Sequence, residues 1–428
     1  MVDSLNKSAF ATLIPETRLP AQETVLSEVS KIRLLMVQYA GDYRETVQRF
    51  AKGGEETYYA QQYSVDAVAD MGKQIEEAAV LCCMTTEPYD EVLQNGVRAI
   101  GAGFNKKIHV KKLIELIEKQ NPTHLVVRTP IREVFRWAIR KKVRTITTFA
   151  ESVPTRGLRK KLRNYWLASL LNNEQIEWVG SYGITSSLCY EEIGVKANKI
   201  IPWDFPSTET PGSFSPKSLQ LDLDHWNLFY VGLVIEGKGV GDILEAIAKL
   251  RAKNFPVKLK IAGQGQKEFF LNKARQLNIE DCVEFLGLVP NNTVIPLMRE
   301  ADLVLVPSRH EYPEGFPLAI THALCSRTPI IASDHPMFQN NLKQGSNSLI
   351  FPAGNSTALS ECIENLLSDS GLYQSLSVAS YEAWKQLQIP VKWADMINRW
   401  LDDSQKNQQW LFEHRFSSGL YDKAIAKT

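Results

Sequence analysis

Cysteine is sparse in this chain. Six residues in 428 (Cys82, Cys83, Cys189, Cys282, Cys325 and Cys362) lie scattered with no C-x-x-C pair, which excludes a disulfide framework and fits reduced thiols in a cytoplasmic protein. No apolar run approaches the ~18 residues of a membrane span, and the opening MVDSLNKSAFATLIPETRLP lacks the uninterrupted apolar stretch of a secretory signal. The expected location is therefore cytoplasmic, at most peripheral to the inner face of a membrane. Neither sign of charge is in excess: 49 Lys and Arg against 48 Asp and Glu leave a formal charge of +1, which argues against a nucleic-acid partner. Internal repeats and low-complexity tracts are missing too. No His/Cys cluster has metal-ligand spacing, so neither a metal nor a cofactor is expected.

What is present is an ordinary globular composition, 44% hydrophobic and 23% charged, on a chain long enough for two α/β domains. After a polar lead-in over 1–30, the run KIRLLMVQYAG (31–41) reads as a buried strand ended by a glycine turn. A long helical pattern follows from about Gly54 to Glu77. Apolar runs at 78–84, 97–103, 124–129 and 143–150 come next, with helical stretches at 110–120 and 132–142 between the later ones. This alternation predicts a parallel sheet with helices on both faces. The Pro/Ser/Thr-rich FPSTETPGSFSPKS (205–218) reads as a linker. Beyond it, strands at 226–233, 257–263, 283–287, 301–308, 328–333 and 348–351 alternate with helices. The expected fold is α/β, with Rossmann-like doubly wound domains over 31–204 and 219–390, and C-terminal helices over 391–428 crossing back to the first domain.

Open parallel sheets bind ligands beyond the carboxyl ends of their strands, so polar and glycine-rich residues just after apolar runs are the candidates. In SRHEYPEGFPLAITHALCSRTPIIASDHP (308–336), Glu314 ends a loop, Gly315 permits close backbone approach and Pro317 suits the first turn of a helix. Such a helix start suits a diphosphate, and Glu314 beside it suits sugar hydroxyls; a surface loop with a capped helix is the alternative. VGLVIEGKGVGDILEAI (231–247) is a strand, a turn and a helix. Gly232 to Lys238 fits G-x-x-x-x-G-K, but Gly239 stands where a phosphate loop needs Ser or Thr, which counts against an ATPase. In AKGGEETYY (51–59), Gly53 and Gly54 are expected to open a helix, with Glu56 close behind.

The stretch 308–336 resembles the signature of GT4-type retaining glycosyltransferases of GT-B fold, with Glu314, Gly315, Phe316, Leu318, Ala323, Pro329 and Ser333 in register. The resemblance covers essentially the whole second domain. It implies two Rossmann-like domains facing a cleft, a nucleotide-sugar donor, and Glu314 and Lys238 as catalytic residues. Glu314 would contact the donor sugar. Lys238 matches the lysine of V-G-R-L-x-x-x-K-G and would meet the donor diphosphate; a solvated turn lysine is the other reading. The resemblance further implies donor contacts at Gly53, Gly54, Gly287, Leu288, Gly315, Phe316, Leu318 and His322. His322 replaces a glutamate that holds the ribose, and a structural role within the helix is its alternative. Pro317 replaces a glycine and removes one N–H donor, and Leu233 replaces an arginine.

In the first domain the family's histidine is absent. Arg128 and Glu151 are the polar residues nearest its expected place, as cleft residues or as a surface salt bridge. RGLRKKLRNYWLASLL (156–171) is a basic, partly amphipathic helix, suited either to an anionic membrane surface or to plain solvation. Asp222 and Asp224 read as a charged loop. The function expected is transfer of a glycosyl unit from a nucleoside-diphosphate sugar to a glycan, lipid-linked or other acceptor, with retention, in polysaccharide biosynthesis. An epimerase on the same fold and a non-catalytic nucleotide-sugar or glycan binder are the alternatives.

Overall fold

The structure is a computed structural model. It describes residues 31–422 apart from 106, 151–152, 154–157, 221–223, 315–316 and 339–340, with backbone alone at 158–160.

Short apolar runs build two separate sheets. The first holds β1 (Arg33–Gln38), β2 (Glu77–Cys82), β3 (Pro88–Val92), β4 (Arg98–Ala102), β5 (His124–Val127), β6 (Arg144–Phe149), β7 (Ile176–Tyr182) and β8 (Ile200–Trp203), in the order β3-β4-β2-β1-β5-β6-β7-β8. Its central strands are buried along nearly their whole length, as strands covered on both faces must be. All neighbours are parallel except β3, which pairs antiparallel with β4 at the edge. The expectation of a wholly parallel sheet is corrected there. β3 is PYDEV, exposed at nearly every position, so no apolar pattern announces it.

The second sheet is wholly parallel. It holds β9 (Trp226–Val231), β10 (Val257–Ala262), β11 (Val283–Gly287), β12 (Leu303–Val306), β13 (Ile330–Ser333) and β14 (Leu349–Phe351), ordered β11-β10-β9-β12-β13-β14. In each sheet the strand order reverses beside its first strand, at β1/β5 and at β9/β12. These are the switch points where an open α/β sheet leaves a crevice for ligand.

The single long helix expected from Gly54 to Glu77 is instead two. One helix, Tyr43–Ala51, starts straight after β1, with Asp42 as its N-cap accepting from the Glu45 amide at 3.1 Å. Gly53 then takes φ +74° and closes it, and a second helix runs over Gln61–Gly72. The Gly53–Gly54 pair therefore ends a helix; the left-handed backbone at Gly53 cannot continue a right-handed one.

The chain crosses between the sheets twice, and the two crossings touch. Asp204 and Lys392 form a parallel bridge: the Asp204 amide donates to the Val391 carbonyl at 3.0 Å, and the Trp393 amide to the Asp204 carbonyl at 2.9 Å. From Ile389 onward the apolar residues join the core of the first sheet, with Trp393, Met396, Ile397 and Trp400 fully buried.

Candidate functional site

Between the two sheets lies a cleft of about 740 Å³. Its second-domain wall is built by the loops that follow β9 and β12, the two strands flanking the switch point. After β9 the chain makes a tight turn at Glu236–Lys238, and Gly239 then starts the helix Val240–Ala252 at φ +74°. A side chain at 239 would place its Cβ 2.2 Å from the Pro307 carbonyl oxygen. The Ser or Thr of a phosphate loop cannot stand there, which removes the P-loop reading on steric grounds.

Arg309 holds this turn against the loop after β12. Its guanidinium bonds both Asp242 oxygens at 2.9 and 2.6 Å and Glu236 at 2.7 Å, and its amide donates to the Gly237 carbonyl at 2.9 Å. Asp242 is fully buried, and the bonds to it raise the Arg309 pKa above its ordinary value.

Lys238 and Glu314, 76 residues apart in sequence, meet in this frame. The Lys238 ammonium pairs with Glu314 Oε1 and lies 4.6 Å from the centre of the Tyr312 ring. Ser308 Oγ donates to the same Glu314 oxygen at 2.5 Å, while Ser333 Oγ holds the Ser308 carbonyl at 2.6 Å. Glu314 is only 5% exposed yet lines the cleft, and its carboxylate is held by Lys238 from the turn after β9 and by Ser308 just after β12. Behind it, buried His335 accepts at Nδ1 from the Met337 amide at 3.2 Å, which leaves Nε2 to donate to the Tyr312 carbonyl at 3.1 Å.

The helix Leu318–Ser326 points its N-terminal end into the cleft, where Pro317 and Leu318 line the wall. Gly315 and Phe316 lie outside the described residues, as do Glu151 and Asp222. One turn into the helix, His322 is 7% exposed, and its Nε2 has no hydrogen-bond partner among the described residues. Its ring stands edge-on to Tyr59 of the first domain at 5.0 Å. Burial lowers its pKa to about 4, so the imidazole is neutral at physiological pH. Leu288 reaches the cleft, while Gly287, at φ +72°, ends β11 outside the lining.

The first-domain wall departs from the sequence reading. Gly53 and Gly54 do not line the cleft. The wall is instead the turn after β1 and the helix it starts: Gly41, Asp42, Glu45, Thr46 and Arg49, with Tyr58 and Gln61 beyond. The signal was present as Asp42-x-x-Glu45 directly after a strand, a helix-start pattern. Arg128 lies behind this wall in a small annex that shares Asp42, Thr46 and Gln61 with the cleft. It donates to Gln38 at 3.1 Å and stacks over Trp393, and burial lowers its pKa. The salt-bridge alternative for Arg128 finds no carboxylate among the described residues. The two walls are latched at their rim, where the Asn291 amide donates to the Glu56 carbonyl at 3.2 Å. Arg309, Tyr59 and Asn291 were not singled out by sequence; each is an ordinary loop residue until its partner from a distant segment is in place.

Burial of neutral histidines has a consequence in acid. His124, in β5, is also 7% exposed with its pKa lowered to about 4, chiefly by burial and then by the nearby Arg144 charge. Both histidines take a proton near pH 6.5 when unfolded but only near 4 when folded. The unfolded state thus binds more protons between these values, and stability falls as pH drops through that window. The loss should approach about 3 kcal/mol per histidine below pH 4, at roughly 1.4 kcal/mol per pKa unit. Urea melts from pH 7 to 4 should be flatter for His124→Gln and His322→Gln than for the parent; equal slopes would refute the assignment.

Comparison with known proteins agrees with this architecture. Residues 213–383 match the glycosyl transferases group 1 family. An uncharacterized glycosyltransferase of Methanocaldococcus jannaschii is 27% identical over 185 residues, 42% of this chain and 46% of that protein. The phosphatidyl-myo-inositol mannosyltransferase of Mycobacterium leprae is 30% identical over 146 residues, 34% of this chain and 38% of that protein. The chain thus spans less than half the length of these curated relatives. Two solved structures match nearly end to end. Anabaena HepE in complex with UDP-glucose has a TM-score of 0.58 at 14% identity, covering 86% of this chain and 97% of its own. Sucrose-phosphate synthase from Thermosynechococcus elongatus has a TM-score of 0.60 at 16% identity, covering 93% and 100%. The chain has the GT-B fold, and its second half is related to the glycosyl transferases group 1 family.

Proposed function

We propose that the chain is a retaining, GT4-like glycosyltransferase that uses a nucleoside-diphosphate sugar, with its donor site on the second-domain wall and its acceptor met from the first. The domains take the bounds 31–204 and 219–390, with 391–428 returning to the first. The observation that carries the reading is the Ser308–Glu314–Lys238 cluster, a buried carboxylate–ammonium pair open to an interdomain cleft beside a helix N-terminus. In the reaction, the bond between the anomeric carbon and the terminal phosphate oxygen breaks, and its electron pair stays on the phosphate. A hydroxyl oxygen of the acceptor bonds to the same carbon, and its proton passes to the departing phosphate.

Lys238 lies where it would stabilise the departing charge. Glu314 accepts hydrogen bonds from the donor sugar, and Leu318 borders it at the helix start. His322 offers its unpartnered Nε2 to the ribose, and Leu288 borders the base. HepE was solved with UDP and with UDP-glucose, which makes uridine donors the first to try here. A thermal-shift screen against UDP, GDP, ADP and their sugars, followed by product analysis with candidate acceptors, tests the reading. A ligand at a hundred times its Kd should raise stability by about 2.7 kcal/mol. Stabilisation without transfer would leave a binder, transfer to no acceptor but conversion of the donor an epimerase, and no stabilisation at all would sink the reading.

The helix Leu158–Leu171 supports a peripheral membrane contact. Leu162, Tyr165 and Trp166 are 61, 65 and 51% exposed on one face, with Lys161 and Arg163 exposed alongside. Aromatic rings flanked by cations suit an anionic bilayer surface. No described helix is long and apolar enough to cross a membrane. Vesicles of anionic lipid should sediment the protein at low salt, and Tyr165→Ser with Trp166→Ser should abolish this; equal sedimentation of parent and variant would refute the contact.

A further inference from the structure

The charge balance of the cleft leaves a diphosphate short of a partner. Among the described residues the lining carries two cations, Lys238 from the second domain and Arg49 from the first. Lys238 is committed to Glu314. Three arginines of the first domain are matched by carboxylates, Arg33 by Glu76 and Glu77, Arg44 by Glu87 and Glu91, and Arg98 by Glu77 and Asp90, whereas Arg128, which lies behind the wall and not in the cleft lining, is not matched among the described residues. Arg49 has no such partner within ion-pair distance among the described residues. Glu45, one turn earlier on the same helix, is exposed and forms no ion pair with it.

Arg49 is held in place without being neutralised. Its Nη2 donates to Gln61 Oε1 at 2.6 Å, and its Nε is buried with no acceptor. Gln61 is itself 4% exposed and anchored by the Thr57 amide at 3.1 Å and by Thr46 Oγ1 at 3.1 Å. Two residues before Gln61, Tyr59 touches His322 across the cleft, which brings this segment to the second-domain wall. A half-buried guanidinium that lines the cleft with no carboxylate paired to it among the described residues is suited to take an anion.

We propose that Arg49 binds the diphosphate of the donor from across the cleft, as a second cation supplied by the first domain. The assignment rests on the transferase reading above and names a residue that reading does not use. The donor then bridges both domains: its diphosphate lies between Lys238 and Arg49.

The test uses the full chain and the nucleoside diphosphate that stabilises it most. Arg49→Gln removes the charge and keeps an N–H donor for Gln61. Its affinity for the diphosphate should fall on the order of ten- to a hundredfold, the range for a hydrogen bond to a charged group, while affinity for the parent nucleoside stays the same. Leu233→Arg added to Arg49→Gln should recover most of the loss, because Leu233 is 48% exposed in the same cleft and a cation there needs no burial. Unchanged diphosphate affinity in Arg49→Gln, or an equal fall for diphosphate and nucleoside, would overturn the assignment while leaving the transferase reading intact. Absence of nucleotide binding by the parent protein would overturn both. Arg49→Lys serves as a control for folding, with partial retention of the diphosphate increment expected.

Discussion

Replacing Lys238 with alanine should abolish most transfer and also weaken the fold, and the two effects can be separated. The Lys238 side chain is 15% exposed and that of Glu314 is 6% exposed, so the pair is largely out of water. Removing one member strands the other charge, at a cost of about 3–5 kcal/mol. A loss of activity in Lys238→Ala alone would therefore not distinguish a binding role from partial unfolding. The double variant Lys238→Met with Glu314→Gln removes both charges and keeps an acceptor for Ser308 Oγ. It should recover most of the stability, since buried pairs are often replaceable by neutral groups of similar volume. Transfer should nevertheless stay low, by roughly two to three orders of magnitude, the scale for losing one group that stabilises a developing oxyanion. Denaturant melts beside initial rates provide both readings. Near-parental rates in the stable double variant would remove Lys238 and Glu314 from the chemistry.

Gly239→Ser should be among the most damaging single changes in the second domain. It would complete the sequence pattern of a phosphate loop, yet no gain of ATPase activity is expected. The new Cβ would lie 2.2 Å from the Pro307 carbonyl oxygen, on a backbone at φ +74°. The left-handed backbone alone costs about 1–3 kcal/mol, and the overlap adds displacement of the Glu236–Lys238 turn from the loop that Arg309 grips. The expected outcome is a loss of at least about 2 kcal/mol in urea, with nucleotide affinity falling further than stability explains because Lys238 moves with the turn. Parental stability in Gly239→Ser would show that the turn is looser than this packing implies.

The sequence carried more of the second domain than of the first, for physical reasons. Strands buried on both faces, such as LVLV in β12 and IIAS in β13, are continuous apolar runs that cannot be mistaken for solvated segments. Helix starts after them are marked by Gly239 and Pro317. In the first domain, β3 is an exposed edge strand identified only by its pairing, and the helix Tyr43–Ala51 is short and closed by the glycines read as its successor's opening. Lys238 and Glu314 were legible one at a time. That they meet was not, because the contact depends on Arg309 and Ser308 drawing two loops together. Arg49 was invisible for the opposite reason: an arginine on a polar helix is ordinary until the missing carboxylate is noticed.

The returning C-terminal segment has a consequence for the order in which the protein can be made. The first sheet is not complete when its own strands have emerged, because Trp393, Met396, Ile397 and Trp400 fill its core. Met396 packs closely on β7: a Cβ at Gly180 would meet the Thr147 carbonyl oxygen at 2.4 Å and the Met396 side chain at 3.0 Å. A chain synthesised from the N-terminus therefore carries a first domain with an open apolar face while the whole second domain, β9 to β14, is being translated and folded. The earlier domain is finished last. The Asp204–Lys392 bridge ties that return to the outgoing crossing, and neither bridge nor return can be made until residue 392 has been translated.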